Sequence, residues 1–309
     1  MVTPETGSTT SKSPNKRSNK MRSIWRSEGA KIAYVFIAPY VLFFTIFRII
    51  PTVYGIVLSF GKYSLAGELS FLGLDNYRKL IEDDLFWNSL KVTGIYAAIA
   101  MPLTIVISLA MAQLCNRALR GIAFFRALYF LPAVTAPVLS GLVFIWIFSE
   151  RGPINALLGL FGLGGSSWLQ NSALVLPALA LVSAWMNFGY NMLILLAGML
   201  AIPEEYYEAA SLDGATAWQR FTRITLPQLK PALFFVLVLE TVKSFQTFDT
   251  IYVMTGGGPV RSSYNLTYMI YDQGFGYINF GYASAVGVVL LVITLIFSLI
   301  QRRLVGGTD

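Results

Sequence analysis

The chain has 309 residues, of which 55% are hydrophobic and 13% charged, with a formal net charge of +7. Soluble domains carry about 25% charged residues, so this composition places the chain among membrane proteins. It has no histidine and a single cysteine, Cys115. That excludes an internal disulfide, histidine-dependent intramembrane proteases, histidine-ligated haem and HExxH zinc sites.

Residues 1–31 are polar and basic, with Lys12, Lys16, Arg17, Lys20, Arg22, Arg26 and Lys31 against Glu5 and Glu28. They read as a disordered cytoplasmic tail, with contact to anionic lipid headgroups as the alternative. A full-length apolar stretch follows, without a short apolar core and small-residue cleavage site, so a removable signal peptide is not expected. About 20 apolar residues cross a bilayer as a helix. Six segments meet that length: 33–59, interrupted by Pro39, Arg48 and Pro51; 90–114; 125–148, with Pro132 and Pro137 expected to kink it; 173–200, uncharged; 231–254; and 281–300, uncharged. Between the first two, Asp75 and Asn76 followed by Tyr77, Leu80, Ile81 and Leu85 predict a short amphipathic helix.

The segments 1–31, 116–126, 201–230 and the C-terminus hold fifteen Lys and Arg, against five in 61–89, 149–172 and 255–280. The positive-inside rule therefore puts both termini and the 201–230 loop in the cytoplasm. Trp87, Trp146 and Trp168 fall near the predicted outer ends, as interfacial aromatics do. Arg48 lies near enough to the outer interface to snorkel. The positive charges sit between apolar runs rather than on one soluble face, so no nucleic-acid partner is expected. No internal repeat is visible. The chain divides into the tail 1–31 and one helical membrane domain, 32–309.

The most informative stretch is the loop 201–230. Pro203 suits a first helical position, and Glu204 and Glu205 complement the positive end of the helix dipole. Gly214 can take the left-handed conformation that stops a helix, and Thr216 can cap the next. Pro227 and Pro231 end that second helix. Two short helices meeting at a glycine bend are predicted, and a plain connection between two spans would look the same.

The residues also carry a resemblance. Glu208-Ala209-Ala210, three residues, Gly214, nine residues, and Ile224-Thr225-Leu226-Pro227 resemble the EAA loop of bacterial ABC-importer permeases. Phe71-Leu72-Gly73-Leu74-Asp75-Asn76-Tyr77 and Thr255-Gly256-Gly257-Gly258-Pro259 resemble the carbohydrate-uptake branch of that family. The likeness runs from about residue 33 to 303. It implies an all-α polytopic protein of the bacterial cytoplasmic membrane, with six transmembrane helices, both termini cytoplasmic and the type I importer architecture. It implies that Glu208, Ala209, Ala210, Asp213 and Gly214 form a coupling helix and bend seated against a separate ATPase subunit. The implied partners are a second homologous permease, two ATPase subunits and an extracellular solute-binding protein that delivers a sugar or sugar derivative.

This chain has no phosphate-cradling loop of its own. Its one Gly-Lys, Gly61-Lys62, is followed by Tyr63, whereas such a loop ends Gly-Lys-Ser/Thr. ATP and magnesium are expected on the partner ATPase subunits, and no cofactor or metal on this chain.

For the solute path, the 231–254 span carries Glu240, Lys243, Gln246 and Asp249. Charges are costly at the bilayer centre and therefore face protein or water. A structural Glu240–Lys243 pair and a path lining are both compatible with that. In the 173–200 span, Trp185 to Asn191 places two amides and three aromatics in an apolar helix. These suit either stacking and hydrogen bonding to a sugar or ordinary interhelical packing. By resemblance these two spans line the path, and Asn187, Tyr190, Asn191, Phe245 and Gln246 are the candidate path residues. The competing reading is a stand-alone secondary carrier or channel using Glu240 and Asp249. An intramembrane enzyme lacks a nucleophile–base pair.

Overall fold

The computed structural model describes residues 31–63, 69–116 and 120–305. The predicted tail, apart from Lys31, and Arg117 lie outside the described residues. The chain divides into two units, residues 1–54 and 55–309. Helix α1 (Lys31–Ser59) runs without the breaks expected at Pro39, Arg48 and Pro51. A wide π turn at Thr45–Ile49 explains the passage through Pro51. Proline crowds the carbonyl one turn back, and widening that turn relieves the clash. The Ile50 N–H bonds the Thr45 carbonyl, and the Thr52 hydroxyl donates to the Arg48 carbonyl at 2.7 Å.

Strands β1 (Gly61–Tyr63) and β2 (Leu69–Phe71) form a short antiparallel hairpin, with Lys62 opposite Ser70. The predicted amphipathic helix follows as α2 (Asp75–Glu82). Its Asn76 amide donates at 2.9 Å to both the Ser59 and Gly61 carbonyls, and Tyr77 bonds the Ser59 hydroxyl at 2.7 Å. Asp83 then caps α3 (Asp84–Cys115) by accepting from the Leu85 N–H at 2.8 Å. Helix α3 starts ahead of the apolar run that predicts it, because Asp83 supplies a cap there.

Helices α4 (Ile122–Phe130) and α5 (Pro137–Ile147) are joined through a 3-10 turn, Leu131–Val134. The expected proline kink is a bend of 95°. Ala136, forced out of helical geometry by Pro137, is extended at ψ 131°. A short helix α6 (Pro153–Leu160) precedes α7 (Val175–Leu200). Next come α8 (Glu204–Leu212), α9 (Ala217–Gln228) and α10 (Lys230–Phe245). The predicted 231–254 span is interrupted: α10 stops at Phe245 and α11 (Asp249–Met254) resumes after it. Helices α12 (Leu266–Tyr271) and α13 (Phe280–Val305) complete the chain.

Four helices, α1, α3, α7 and α13, are long and apolar enough to cross a membrane, and the bent pairs α4–α5 and α9–α10 raise the number to as many as six. The centre of the second unit is α3 against α7. Along α3 the buried positions Ser89, Thr93, Ala97, Ala100, Thr104, Ser108 and Ala112 make a seam of small residues. Small side chains let helices approach closely where lipid supplies no hydrophobic drive. Their hydroxyls return to the carbonyl one turn back, as Thr104 does to Ala100 at 2.7 Å and Ser108 to Thr104 at 2.6 Å, so these groups stay bonded in apolar surroundings.

On α7 the tightest approach is at Gly189, where a Cβ would collide with the Tyr129 carbonyl oxygen and stand 3.0 Å from the Phe130 Cα. Backbone cannot yield as a flexible side chain does. Gly189→Val is therefore expected to cost about 1–3 kcal/mol by overpacking, read as a lowered unfolding midpoint in detergent. An unchanged midpoint would contradict this contact.

Candidate transport site

Two features of the second unit stand out, an exposed knuckle and a polar cavity, and the same helices serve both. The knuckle is α8 and α9. Pro203 is the residue before α8, not its first helical residue as expected: its ψ of 135° is extended, and Glu204 and Glu205 form the first turn. Gly214 has φ +74°, and the Ala215 N–H reaches back to the Ala210 carbonyl at 2.9 Å. This is the glycine-stopped helix end that the sequence predicts. Thr216 and Gln219 form a reciprocal capping box that starts α9.

No residue of α8 is buried, so packing does not hold that helix. Capping and two cross-ties do: Arg220 donates to the Ser211 hydroxyl at 2.9 Å, and Tyr207 and Thr225 share a hydroxyl bond of 2.9 Å. A second π turn, Phe221–Thr225, ends two residues before Pro227, as the one in α1 ends two residues before Pro51. The chain then turns by 69° at Leu229, 1% exposed, into α10.

Glu208 and Ala209 lie on the exposed surface of the knuckle and Ala210 is half-buried, with Asp213 and Gly214 exposed at the bend. The ion pairs among the described residues are Arg78–Glu82 and Glu240–Lys243, and Glu208 takes part in neither. Leu212 is 91% and Trp218 71% exposed beside it. A bare carboxylate flanked by uncovered apolar side chains, on a braced element, has the composition of a contact surface.

The cavity, about 320 Å³, opens between α3, α7 and the α10–α11 break. Asn187, Glu240, Lys243, Gln246 and Asp249 line it, together with Tyr96 and Ser183. Glu240 is 2% exposed. It accepts from the Asn191 amide at 2.8 Å and stands 3.5 Å from the Lys243 ammonium. Lys243 donates to Asn187 at 2.9 Å and lies 5.1 Å from the centre of the Tyr190 ring. Asn187, Tyr190 and Asn191 thus meet in one network around the Glu240–Lys243 pair. Asn187 and Gln246 reach the cavity, whereas Asn191 is buried behind it. Phe245 points elsewhere, into the apolar cluster of Leu266, Met269, Tyr282 and Leu290, with its ring 5.1 Å from that of Phe297.

Sequence reasoning missed Tyr96, Ser183 and Thr247 as lining groups. The Tyr96 and Ser183 hydroxyls bond each other across the α3–α7 contact. Isolated hydroxyls in apolar helices resemble the ordinary seam residues, so no local signal marks them.

Helices of membrane-spanning length around a polar cavity, with a braced charged element at one end, define a membrane transport protein. The chain belongs to the family of binding-protein-dependent transport system inner membrane components, which residues 105–308 match. A member of this family is a transport subunit rather than an enzyme. The chain is 39% identical over 91% of its length to 92% of the probable ABC transporter permease protein YesP of Bacillus subtilis strain 168. It is 33% identical over 89% of its length to 88% of the arabinooligosaccharides transport system permease protein AraP of the same strain. In fold it resembles a chain of a bacterial alginate ABC transporter, solved in complex with an alginate pentasaccharide-bound periplasmic protein. That match has a TM-score of 0.77 and 21% identity, and covers 90% of this chain and 96% of that one.

Replacing Lys243 by Met should leave the Glu240 carboxylate buried with one partner fewer, a loss of about 1–3 kcal/mol. Adding Glu240→Gln removes the charge and should recover most of it. A double-mutant cycle of unfolding in detergent checks this, and additive losses would contradict the pairing.

Proposed function

We propose that the chain is the permease subunit of an ATP-driven importer of a sugar or sugar derivative in the bacterial cytoplasmic membrane. It crosses the membrane six times, the spans being α1, α3, α4–α5, α7, α10 continued through α11 rather than back through α9, and α13, with both termini and the knuckle, α9 included, on the cytoplasmic side. Residues 1–31 are a cytoplasmic tail and 32–309 the membrane domain. A second homologous permease completes the path, and a solute-binding protein delivers the sugar from outside. Two ATPase subunits bind ATP and magnesium, and this chain binds neither.

The observation that carries this reading is the shared helix ends. The knuckle hangs between α7 and α10, and the cavity opens between those two helices. Glu208 is placed to pair with a basic group of an ATPase subunit. Ala209 and Ala210 allow close approach, and Asp213 and Gly214 set the bend. Force applied there by ATP-driven closure moves α7 and α10 as a pair and switches the side to which the cavity opens. Asn187, Tyr190, Asn191 and Gln246 form or brace the path, and Phe245 supports it from the packed side. A sugar substrate is favoured by the amides, hydroxyls and aromatic rings around the cavity. The stated substrate of the AraP relative points the same way.

Glu208→Lys should abolish uptake and release the ATPase subunits, while changing stability by no more than about 0.5 kcal/mol, as an exposed substitution does. Gln246→Leu should impair transport with ATPase binding intact. Uptake and co-purification of each variant from mild detergent check both. Full transport by Glu208→Lys, or ATP-independent uptake by the purified chain alone in liposomes, would favour a stand-alone carrier.

A further inference from the structure

A second cavity, of about 310 Å³, lies at the end of the helices away from the knuckle, and the transport mechanism above does not use it. Its floor is the Gly256–Gly258 turn. Gly256 and Gly257 take φ of +55° and +83°, and a Cβ on Gly257 would stand 2.8 Å from the Tyr264 ring and 3.2 Å from that of Tyr268. The glycine backbone therefore lies directly against two aromatic rings, a fit no other residue allows.

The segment behind it is firmly held. Ser263 donates to the Gly258 carbonyl at 2.6 Å, Asn265 caps α12 and donates to the Thr247 carbonyl at 2.6 Å, and the Leu266 N–H bonds Thr93 at 3.0 Å. Ser263, Asn265 and Leu266 are fully buried. On this frame the Tyr264 hydroxyl donates to Asp272 at 2.6 Å. Burial, and then that bond, raise the Tyr264 hydroxyl well above the usual phenol range. Its proton is therefore present throughout the physiological range and fixes the Asp272 carboxylate.

The groups turned to the cavity are Arg261, Asp272, Gln273, Tyr268 and Tyr277. Arg261 and Asp272 are not paired with each other or with any other ion among the described residues. A guanidinium, a fixed carboxylate and an amide offer donors and acceptors around tyrosine faces, the combination that takes hydroxyls at the rim and C–H faces on the rings of a saccharide. The carboxylate disfavours a bare phosphate. The two cavities also share a wall. Tyr268 lines the outer one and its ring lies 6.3 Å from that of Phe248, which lines the inner one.

The geometry points to a second, outer saccharide subsite at the Gly256–Gly258 turn, with Arg261, Asp272, Gln273 and Tyr277 holding one residue of an incoming sugar chain before it reaches the cavity at Asn187. This rests on the reading of the chain as a sugar permease, and it makes the substrate class an oligosaccharide.

The test uses the assembled importer in nanodiscs, with Cys115→Ser removing the one native cysteine of this chain. A Leu85→Cys variant reports on the outer cavity and a Met186→Cys variant on the inner one, each read as the rate of maleimide labelling of this chain. The probes are arabinotriose and an alginate trisaccharide. At about ten times its Kd, a bound sugar should slow labelling of the Leu85→Cys variant about tenfold by mass action. Arg261→Ala with Gln273→Ala should restore the rate. Protection of the inner-cavity thiol but not of the outer one would overturn the subsite and leave the sugar-permease reading standing. Protection at neither position overturns the subsite and counts against the sugar reading as well. Protection of the outer thiol by the sugar-free binding protein alone, with none from the sugars, would make this a protein-docking face and also overturn the proposal.

Discussion

A carboxylate buried among membrane-spanning helices must have partners, and Glu240 has two, on two different turns of the structure. Asn191 comes from α7 and Lys243 from the next turn of α10 itself. Lys243 also reaches back to α7 through Asn187. The result is a closed polar tie between α7 and α10 at the wall of the cavity. Desolvated polar groups that lose partners are costly, so the two helices cannot slide past one another freely at this level. Both helices run from here to the knuckle. Through the tie, a displacement of the knuckle would reach the cavity as movement of a pair rather than of one helix.

The remaining architecture follows from how the backbone copes with apolar surroundings. Small residues on α3 bring α7 close, and their hydroxyls satisfy themselves on their own helix. Pro51, Pro227 and Pro137 are absorbed in two different ways. Where the chain continues, as before Pro51 and Pro227, a π turn precedes the proline. Where it must turn, as at Ala136 before Pro137, the preceding residue goes extended and the helix axis swings. The same residue type therefore lies in a continuous helix in one place and at a 95° bend in another, according to whether the preceding turn widens or opens.

That duality limits what sequence alone reveals. Apolar length locates α3, α7 and α13 to within a few residues, because length is a local property. The knuckle is legible in detail, since Gly214 and the Thr216–Gln219 box are local signals for stopping and starting a helix. Pro203 sits one residue from its expected place, a difference set by a single ψ angle. Pro39, Arg48 and Pro51 suggest interruptions in a helix that is continuous. In the cavity, Asn187 and Gln246 stand out as polar breaks in apolar helices. Tyr96 and Ser183 do not, because their significance lies in meeting each other across 87 residues of chain. Phe245 is a path candidate through its place in the 231–254 span, yet successive helical residues face about 100° apart, and it points into the core. The fold of 255–280 back onto α3 rests on long-range bonds such as Leu266 to Thr93, which no local pattern announces.

If the knuckle governs the side to which the cavity opens, a thiol in the cavity must change its accessible side with the state of the ATPase subunits. The most direct measurement is the labelling of a Met186→Cys variant from each side of the membrane, in the assembled importer, with and without a non-hydrolysable ATP analogue. The analogue should exchange the side from which the introduced thiol is labelled, and Glu208→Lys should abolish the exchange while leaving basal labelling in place. Labelling that is indifferent to nucleotide, or an exchange that survives Glu208→Lys, would contradict control by the knuckle.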